Sequence, residues 1–283
     1  MSRFQALALV AVATAVWGAT FTVVKAGLAD SGPLTFLSLR FLLAAMLALG
    51  LGRNRTRLRA ALTGLACGAA LFSGFALQTS GLATTSPARS AFITAMAALL
   101  VPVVEPLFGV NRFSLRIMAG GALAAGGLGV LLRPTAGGLG VGDLLTFGCA
   151  VAFAAHLVLL QAAVQRTPAA QVNALQVVTT AALSLPAATL EGWRFTPSLR
   201  LGAALLVTAG LATVFCFGAL SAAQRALSAA ESSVILAFEP LAAAMVSVLL
   251  GYDRASLALL VGGSLVVSGV LVATVPAPAM RLR

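Results

Sequence analysis

Apolar stretches of about 20 residues recur from one end of this chain to the other, separated only by short segments rich in turn and charge signals. A helix of that length spans a hydrocarbon core of roughly 30 Å. Ten such stretches are read, at 5–28, 33–52, 58–79, 86–107, 114–132, 141–162, 170–190, 200–220, 229–250 and 255–275. The separators, such as "ADSGP", "RNRTR", "TTSP" and "GYDR", are too short to hold a soluble domain. Composition agrees, with 60% of residues hydrophobic and 9% charged, against roughly a quarter charged in soluble domains. The predicted fold class is an all-α integral membrane protein of ten transmembrane helices. The first stretch follows Arg3 as a secretory signal would, but nine comparable spans come after it, so it is read as the first span.

A formal net charge of +11 would suggest nucleic acid in a soluble protein, so the placement of the basic residues decides what it means. With the amino terminus in the cytoplasm, the inner ends of the spans carry Arg3, Arg53, Arg55, Arg57, Arg59, Arg112, Arg116, Arg166, Arg225, Arg281 and Arg283. The outer ends carry only Lys25, Arg89, Arg133, Arg194, Arg200 and Arg254. This is the positive-inside bias of a multi-pass protein with both termini cytoplasmic, and it gives no reason to expect a nucleic-acid partner. Cys67, Cys149 and Cys216 fall within spans at wide separations and are read as small apolar packers.

The chain also resembles itself. At a constant shift of 142, Asn111-Arg112 falls on Asp253-Arg254, Ser114 on Ser256, Gly120-Gly121 on Gly262-Gly263 and Gly127 on Gly269. Earlier in each half a shift of 136 sets Trp17 on Phe153, Thr20 on His156 and Arg40 on Gln176. The reading is a five-helix repeat at 1–135 and a second at 136–283. An odd number of spans per repeat inserts the second upside down, which predicts two inverted five-helix repeats around a central cavity. Secondary transporters are built this way, with a substrate site near the midplane between the halves.

Trp17-Gly18 followed by Phe21, "LSLRF" at 37–41, "GDLLTFGCAVAFAAHLVL" from 142, "FEP" at 238–240 and the paired "NR" and "DR" turns resemble the drug/metabolite transporter superfamily, in its ten-helix EamA-type exporter branch. The resemblance covers nearly the whole chain. It implies a basket with helices 1, 3, 4, 6, 8 and 9 lining a cavity, and export of small metabolites across the bacterial inner membrane. Amino acids, aromatic ones among them, are the substrates such bacterial members often carry. Many relatives have "GE" at the turns where this chain has Gly109-Val110-Asn111 and Gly251-Tyr252-Asp253, so no role of that glutamate carries over.

Glu239 and Pro240 stand inside the apolar run "ILAFEPLAAAM". Glu239 lies about eleven residues into the ninth span, near the bilayer centre at 1.5 Å per residue. Facing lipid, its carboxylate would cost about 2.5–3.5 kcal/mol, so it must face a wet cavity, find a partner or be protonated. Pro240 cannot donate to the carbonyl of Leu236. Pro102 interrupts the fourth span, the counterpart of the ninth, although the shift of 142 sets it on Ala244, about one turn from Pro240; interrupted helices at roughly matching places in two repeats point to a site. Glu239 and His156, the one histidine of the chain, are candidates both for substrate binding and for proton coupling.

The uncharged candidates for substrate binding are Trp17, Phe21, Phe75, Gln78, Ser90 and Thr94 in the first half and Phe153, Phe217 and Ser232 in the second. Aromatic faces with a few hydrogen-bonding groups suit a zwitterion with a bulky apolar side chain. Arg40 is read as a scaffold or snorkelling residue, and Lys25 and Glu105 as interfacial anchors. Arg89 is assigned an electrostatic role at the cavity mouth, and Glu231 a place at the positive end of a helix dipole. Gly121, Ala125 and Gly129, with Ser264 and Ser268, are read as the small faces on which the fifth and tenth helices pack.

The predicted function is a secondary transporter working by alternating access, with no cofactor and no metal site. Its expected partners are the small-molecule substrate and the lipid bilayer, and a monomer suffices for the arrangement. The competing classes are a transferase or flippase acting on a lipid-linked substrate, and a passive channel. One histidine, seven acids and no adjacent acidic pair disfavour an enzyme.

Overall fold

The computed structural model describes residues 1–50, 58–109, 114–132, 139–249 and 256–274. Ten helical stretches run through them, numbered first to tenth in chain order. The first five are Arg3–Gly27, Pro33–Gly50, Leu58–Thr84, a split fourth of Pro87–Ala95 and Ala97–Leu107, and Leu115–Leu132. The second five are Val141–Val164, Ala169–Glu191, an eighth of Leu199–Leu206, Val207–Phe215 and Cys216–Ala223, a split ninth of Ala229–Leu236 and Glu239–Leu249, and Leu257–Thr274. Six of the helical stretches are long and apolar enough to cross a membrane, and two further apolar helices are shorter. Arg53, Arg55, Arg57, Asn111-Arg112, Arg133, Asp253-Arg254, Arg281 and Arg283 lie outside the described residues, as does the boundary at 135.

The helices start where the sequence supplies an oxygen for their orphan N–H groups. Ser2, Ser86, Ser198 and Ser228 each cap the N–H three residues on. Ser2 with Gln5 and Ser228 with Glu231 complete reciprocal capping boxes. The seventh helix stops at Gly192, whose φ of 88° is a left-handed conformation that glycine adopts without strain.

A large core cluster ties the first, second, third, sixth, seventh and eighth helices together through Val10, Phe41, Leu71, Val158, Val177 and Leu220. A second cluster, including Ala98, Ala124, Val234, Leu241 and Val266, joins the fourth, fifth, ninth and tenth. The fifth and tenth helices cross through Gly120 and Gly127 on one side and Gly262 and Gly269 on the other. A Cβ on Gly120 or Gly127 would stand 2.5 Å from the carbonyl oxygen of Gly269 or Gly262. This corrects the expected packing faces in part, since Gly121 does allow a close approach: its would-be Cβ stands 2.9 Å from the Ala98 carbonyl oxygen of the fourth helix. Gly129 has nothing within 4 Å of its would-be Cβ, and Ser264 and Ser268 are exposed. Residues seven apart share a helix face whereas neighbours diverge by about 100°, so the glycine face lies one position round from the one expected.

Three helices depart from regular geometry near mid-length. The fourth turns at Met96 and the ninth at Ala237-Phe238. Phe238 lies 142 residues after Met96, the offset found in the sequence comparison. The ninth breaks where expected, beside the Leu236 carbonyl that Pro240 cannot engage. The fourth breaks six residues before Pro102, earlier than the proline alone requires. In the eighth helix, Val207–Phe215 winds as a π-helix.

At one end of the bundle, the loop after the first helix clasps the loop after the seventh. Gly32 N–H donates to Arg194 O at 2.7 Å, and Thr196 N–H to Asp30 O at 2.7 Å. Glu191 accepts from Leu34 N–H, Thr35 N–H and the Thr35 hydroxyl, capping the second helix. Arg200 grips Asp30 with two hydrogen bonds, 2.9 and 2.5 Å long. These bonds, then that of Ser198, hold the Asp30 carboxyl down at about 2. With a depressed folded value, the clasp's contribution to stability is complete above the ordinary aspartate range near 3.9 and is lost as pH falls through about 2. The melting-temperature deficit of Asp30→Asn is therefore expected to stay constant from pH 7 to pH 5. A deficit that shrinks within that window would contradict the assignment.

Candidate functional site

The six helices whose lining role the family resemblance implied surround a cavity, which Arg40 of the second helix also borders. Of the sequence candidates, Trp17, Phe21, Phe75, Gln78, Thr94, Phe153, His156, Phe217 and Glu239 all border it. Ser90 and Ser232 do not. Ser90 is fully buried and its hydroxyl has no partner among the described residues. The Ser232 hydroxyl donates to the carbonyl of Ser228 within its own helix. Thr20, Thr79 and Ser233, which the sequence did not single out as site residues, border the cavity too.

The aromatic rings form a connected cluster on the cavity wall. Phe217 meets Trp17 at 4.9 Å, Phe75 at 5.8 Å and the His156 ring at 5.8 Å between centroids. Phe75 in turn packs on Phe153 at 5.2 Å and Phe41 at 5.3 Å. The tilted and edge-on geometries are those that ring quadrupoles favour. Such a wall is rigid and apolar, yet offers ring faces and edges to a ligand.

The π-helical segment organises the polar side of this wall. Trp17 Nε1 donates to Ala212 O at 2.8 Å, and Asn173 Nδ2 to Val214 O at 3.3 Å. Arg40 Nε donates to the Thr213 hydroxyl at 2.9 Å, and that hydroxyl donates to Thr208 O, five residues back. π-Bulges widen a helix and recur at functional sites. Here three partners from the first, second and seventh helices attach within three consecutive residues.

Arg40 is the main departure from expectation. It does not snorkel but is 3% exposed, on the cavity wall, with its guanidinium carbon 4.5 Å from the Phe75 centroid and 5.4 Å from that of Phe41. It forms no ion pair with any described acid. Its depth is legible in the sequence, since Arg40 lies seven residues beyond Pro33, about 10 Å along its helix.

Glu239 opens the second half of the ninth helix, directly after the turn. Its carboxylate borders the cavity and accepts no hydrogen bond from any described residue. His156 is buried, and its Nε2 lies 2.8 Å from Gln176 Oε1, an acceptor, so Nε2 carries the proton. Gln176 passes the chain to Asn173 at 3.0 Å and so to Val214. Deleting the imidazole leaves a buried amide oxygen unpaired, which costs about 1–3 kcal/mol. His156→Ala is thus expected to melt measurably lower than wild type, and an unchanged melting temperature would show that this chain carries no load.

The charged residues expected at helix ends take specific partners. Lys25 Nζ donates to the carbonyls of Leu82, Ala83 and Thr85, satisfying the end of the third helix. Arg89 pairs with Asp143 at 2.7 Å. At the other end of the bundle Glu105, read as an anchor, is buried and accepts from Ala230 N–H at 3.1 Å. Gln161 accepts from Ala229 N–H at 2.8 Å, and Arg3 pairs with Glu231 at 2.5 Å. A helix start leaves N–H groups unsatisfied, and two neighbouring helices reach across to cap the ninth. The lining residues lie from mid-bundle toward the Lys25 end, while Val10, Leu160, Ala163 and Leu227 pack at the Arg3 end.

A curated protein of Archaeoglobus fulgidus described as an uncharacterized transporter is 28% identical over 242 residues, covering 86% of this chain and 76% of its own. A crystal structure whose description says only "protein" superposes with a TM-score of 0.77 at 23% identity, covering 96% of this chain and 97% of the other, which bears on the fold. The model of the EamA-like transporter family matches twice, over residues 5–133 and again over 140–275. With both matches spanning almost all of the helices that wall the cavity, this chain belongs to the EamA-like transporter family, a family of membrane transporters.

Proposed function

We propose that the protein exports small amphipathic metabolites, foremost amino acids, by alternating access of the mid-bundle cavity to the two sides of a bacterial inner membrane. The observation that carries this reading is an aromatic-walled cavity bordered by the carboxylate of Glu239, which pairs with no described residue. The rings suit an apolar side chain and Glu239 suits an ammonium group or a proton. Two inverted repeats at 1–135 and 136–283 would supply the moving parts, and the matching turns at Met96 and Phe238 support such a pairing.

With the amino terminus cytoplasmic, the sealed end held by Arg3, Glu105 and Gln161 is the inner one and the cavity faces outward. The caps on the ninth helix then release for inward opening. The test is reconstitution of the full chain in liposomes with labelled phenylalanine, leucine and threonine, with and without a pH gradient. Movement of at least one above the protein-free background is expected. Failure of every amino acid to move would overturn the substrate class, and acceleration by a pH gradient would identify proton exchange.

A further inference from the structure

We infer that Arg40 is the carboxylate receptor of the cavity, so that a ligand must carry a carboxylate to bind well. This rests on the reading of the cavity as an amino-acid site. The guanidinium is buried, yet no described residue accepts a hydrogen bond from its two terminal nitrogens and no described acid neutralises it. Nε is committed to the Thr213 hydroxyl, and the plane is held against Phe75 and Phe41. What remains for a ligand is the outer pair of N–H groups, the fork that binds both oxygens of a carboxylate at once.

A buried cation is retained only when something compensates it. Thr213 supplies a neutral oxygen and the rings a quadrupole, neither of which cancels a full charge. Among the described residues the cavity is lined by one Lys or Arg and one acid, Arg40 on the second helix and Glu239 on the ninth, and neither forms an ion pair. A zwitterion with its carboxylate on Arg40 and its ammonium toward Glu239 compensates both. An amine leaves Arg40 uncompensated. A phosphate dianion would want a second cation, and no other Lys or Arg lines the cavity among the described residues.

The π-helical turn is the positioning device. In a regular helix a threonine hydroxyl reaches the carbonyl three or four residues back, whereas the Thr213 hydroxyl donates to Thr208 O, five back. The hydroxyl thus directed holds Nε and leaves the two terminal nitrogens of Arg40, which borders the cavity, for a ligand.

The experiment measures binding by the purified full chain of three probes of one shape: phenylalanine, its decarboxylated amine phenethylamine, and its deaminated acid 3-phenylpropionate. Wild type is expected to prefer phenylalanine over phenethylamine by at least about tenfold, the scale of one charge-assisted hydrogen bond. Arg40→Gln is expected to lose about that factor for both carboxylates and to leave phenethylamine unaltered. An equal loss for all three probes, or none, overturns the proposal.

Should Arg40→Gln fail to fold, phenylglyoxal labelling of wild type, mapped at Arg40, decides instead. Protection by phenylalanine and not by phenethylamine supports the site, and equal protection overturns it. Phenylpropionate binding through Arg40 without any phenylalanine binding would refute the amino-acid reading and keep the carboxylate site. Phenylalanine binding that Arg40→Gln leaves intact would do the reverse. Binding of none of the probes refutes both.

Discussion

Glu239→Gln is expected to cut transport by roughly 10- to 150-fold, the equivalent of losing one charge-assisted hydrogen bond of about 1.5–3 kcal/mol. Fold and melting temperature should change little, since the amide fills the same space and the carboxylate accepts no hydrogen bond from any described residue. A group retained near mid-bilayer without a structural partner is held there for what enters the cavity. Transport assayed from pH 5 to pH 8 separates the possible uses. A glutamine variant that transports like wild type across that range removes Glu239 from the mechanism. A variant that loses only the pH dependence assigns it to proton exchange rather than to the substrate.

The second large effect is on stability, and it has opposite signs at two glycines two positions apart. Gly127→Ala is expected to destabilise by about 1–3 kcal/mol through overpacking, because the new methyl group would meet Gly262 O at 2.5 Å, Leu265 Cβ at 2.8 Å and Val266 N at 2.8 Å. Two of those atoms are backbone, so the tenth helix itself must move. Gly129→Ala meets nothing within 4 Å, and gains up to about 1 kcal/mol from the lower conformational freedom of alanine. Melting curves of the two purified variants beside wild type check this. Equal shifts would mean that the fifth and tenth helices cross on some other face.

The Ser90 and Ser232 positions show the limit of choosing site residues by helix alone. Both lie on helices that wall the cavity, but a helix turns about 100° per residue, so membership of a lining helix leaves most of its residues facing elsewhere. The aromatic candidates fared differently because Trp17, Phe75, Phe153 and Phe217 contact one another. Large rings on adjacent inward faces of a bundle meet almost wherever the helices rotate, whereas a serine must be aimed.

What the sequence determined by itself was the set of helices. Span lengths, serine caps, the proline beside Leu236 and the cost of a mid-bilayer acid are local properties, each decided by a few neighbouring residues and the thickness of the hydrocarbon core. Only the tertiary structure decided which faces meet. "VTAGLATVF" at 207–215 reads as an ordinary apolar helix, and it winds as a π-helix where Trp17, Arg40 and Asn173 attach from three other helices. Arg40 was read as a scaffold or snorkelling residue, yet its surroundings are Thr213, Phe75 and the cavity, all brought to it by segments far away in the chain. The rotation of each helix about its axis is set by packing against its neighbours, and that information belongs to pairs of helices rather than to any one of them.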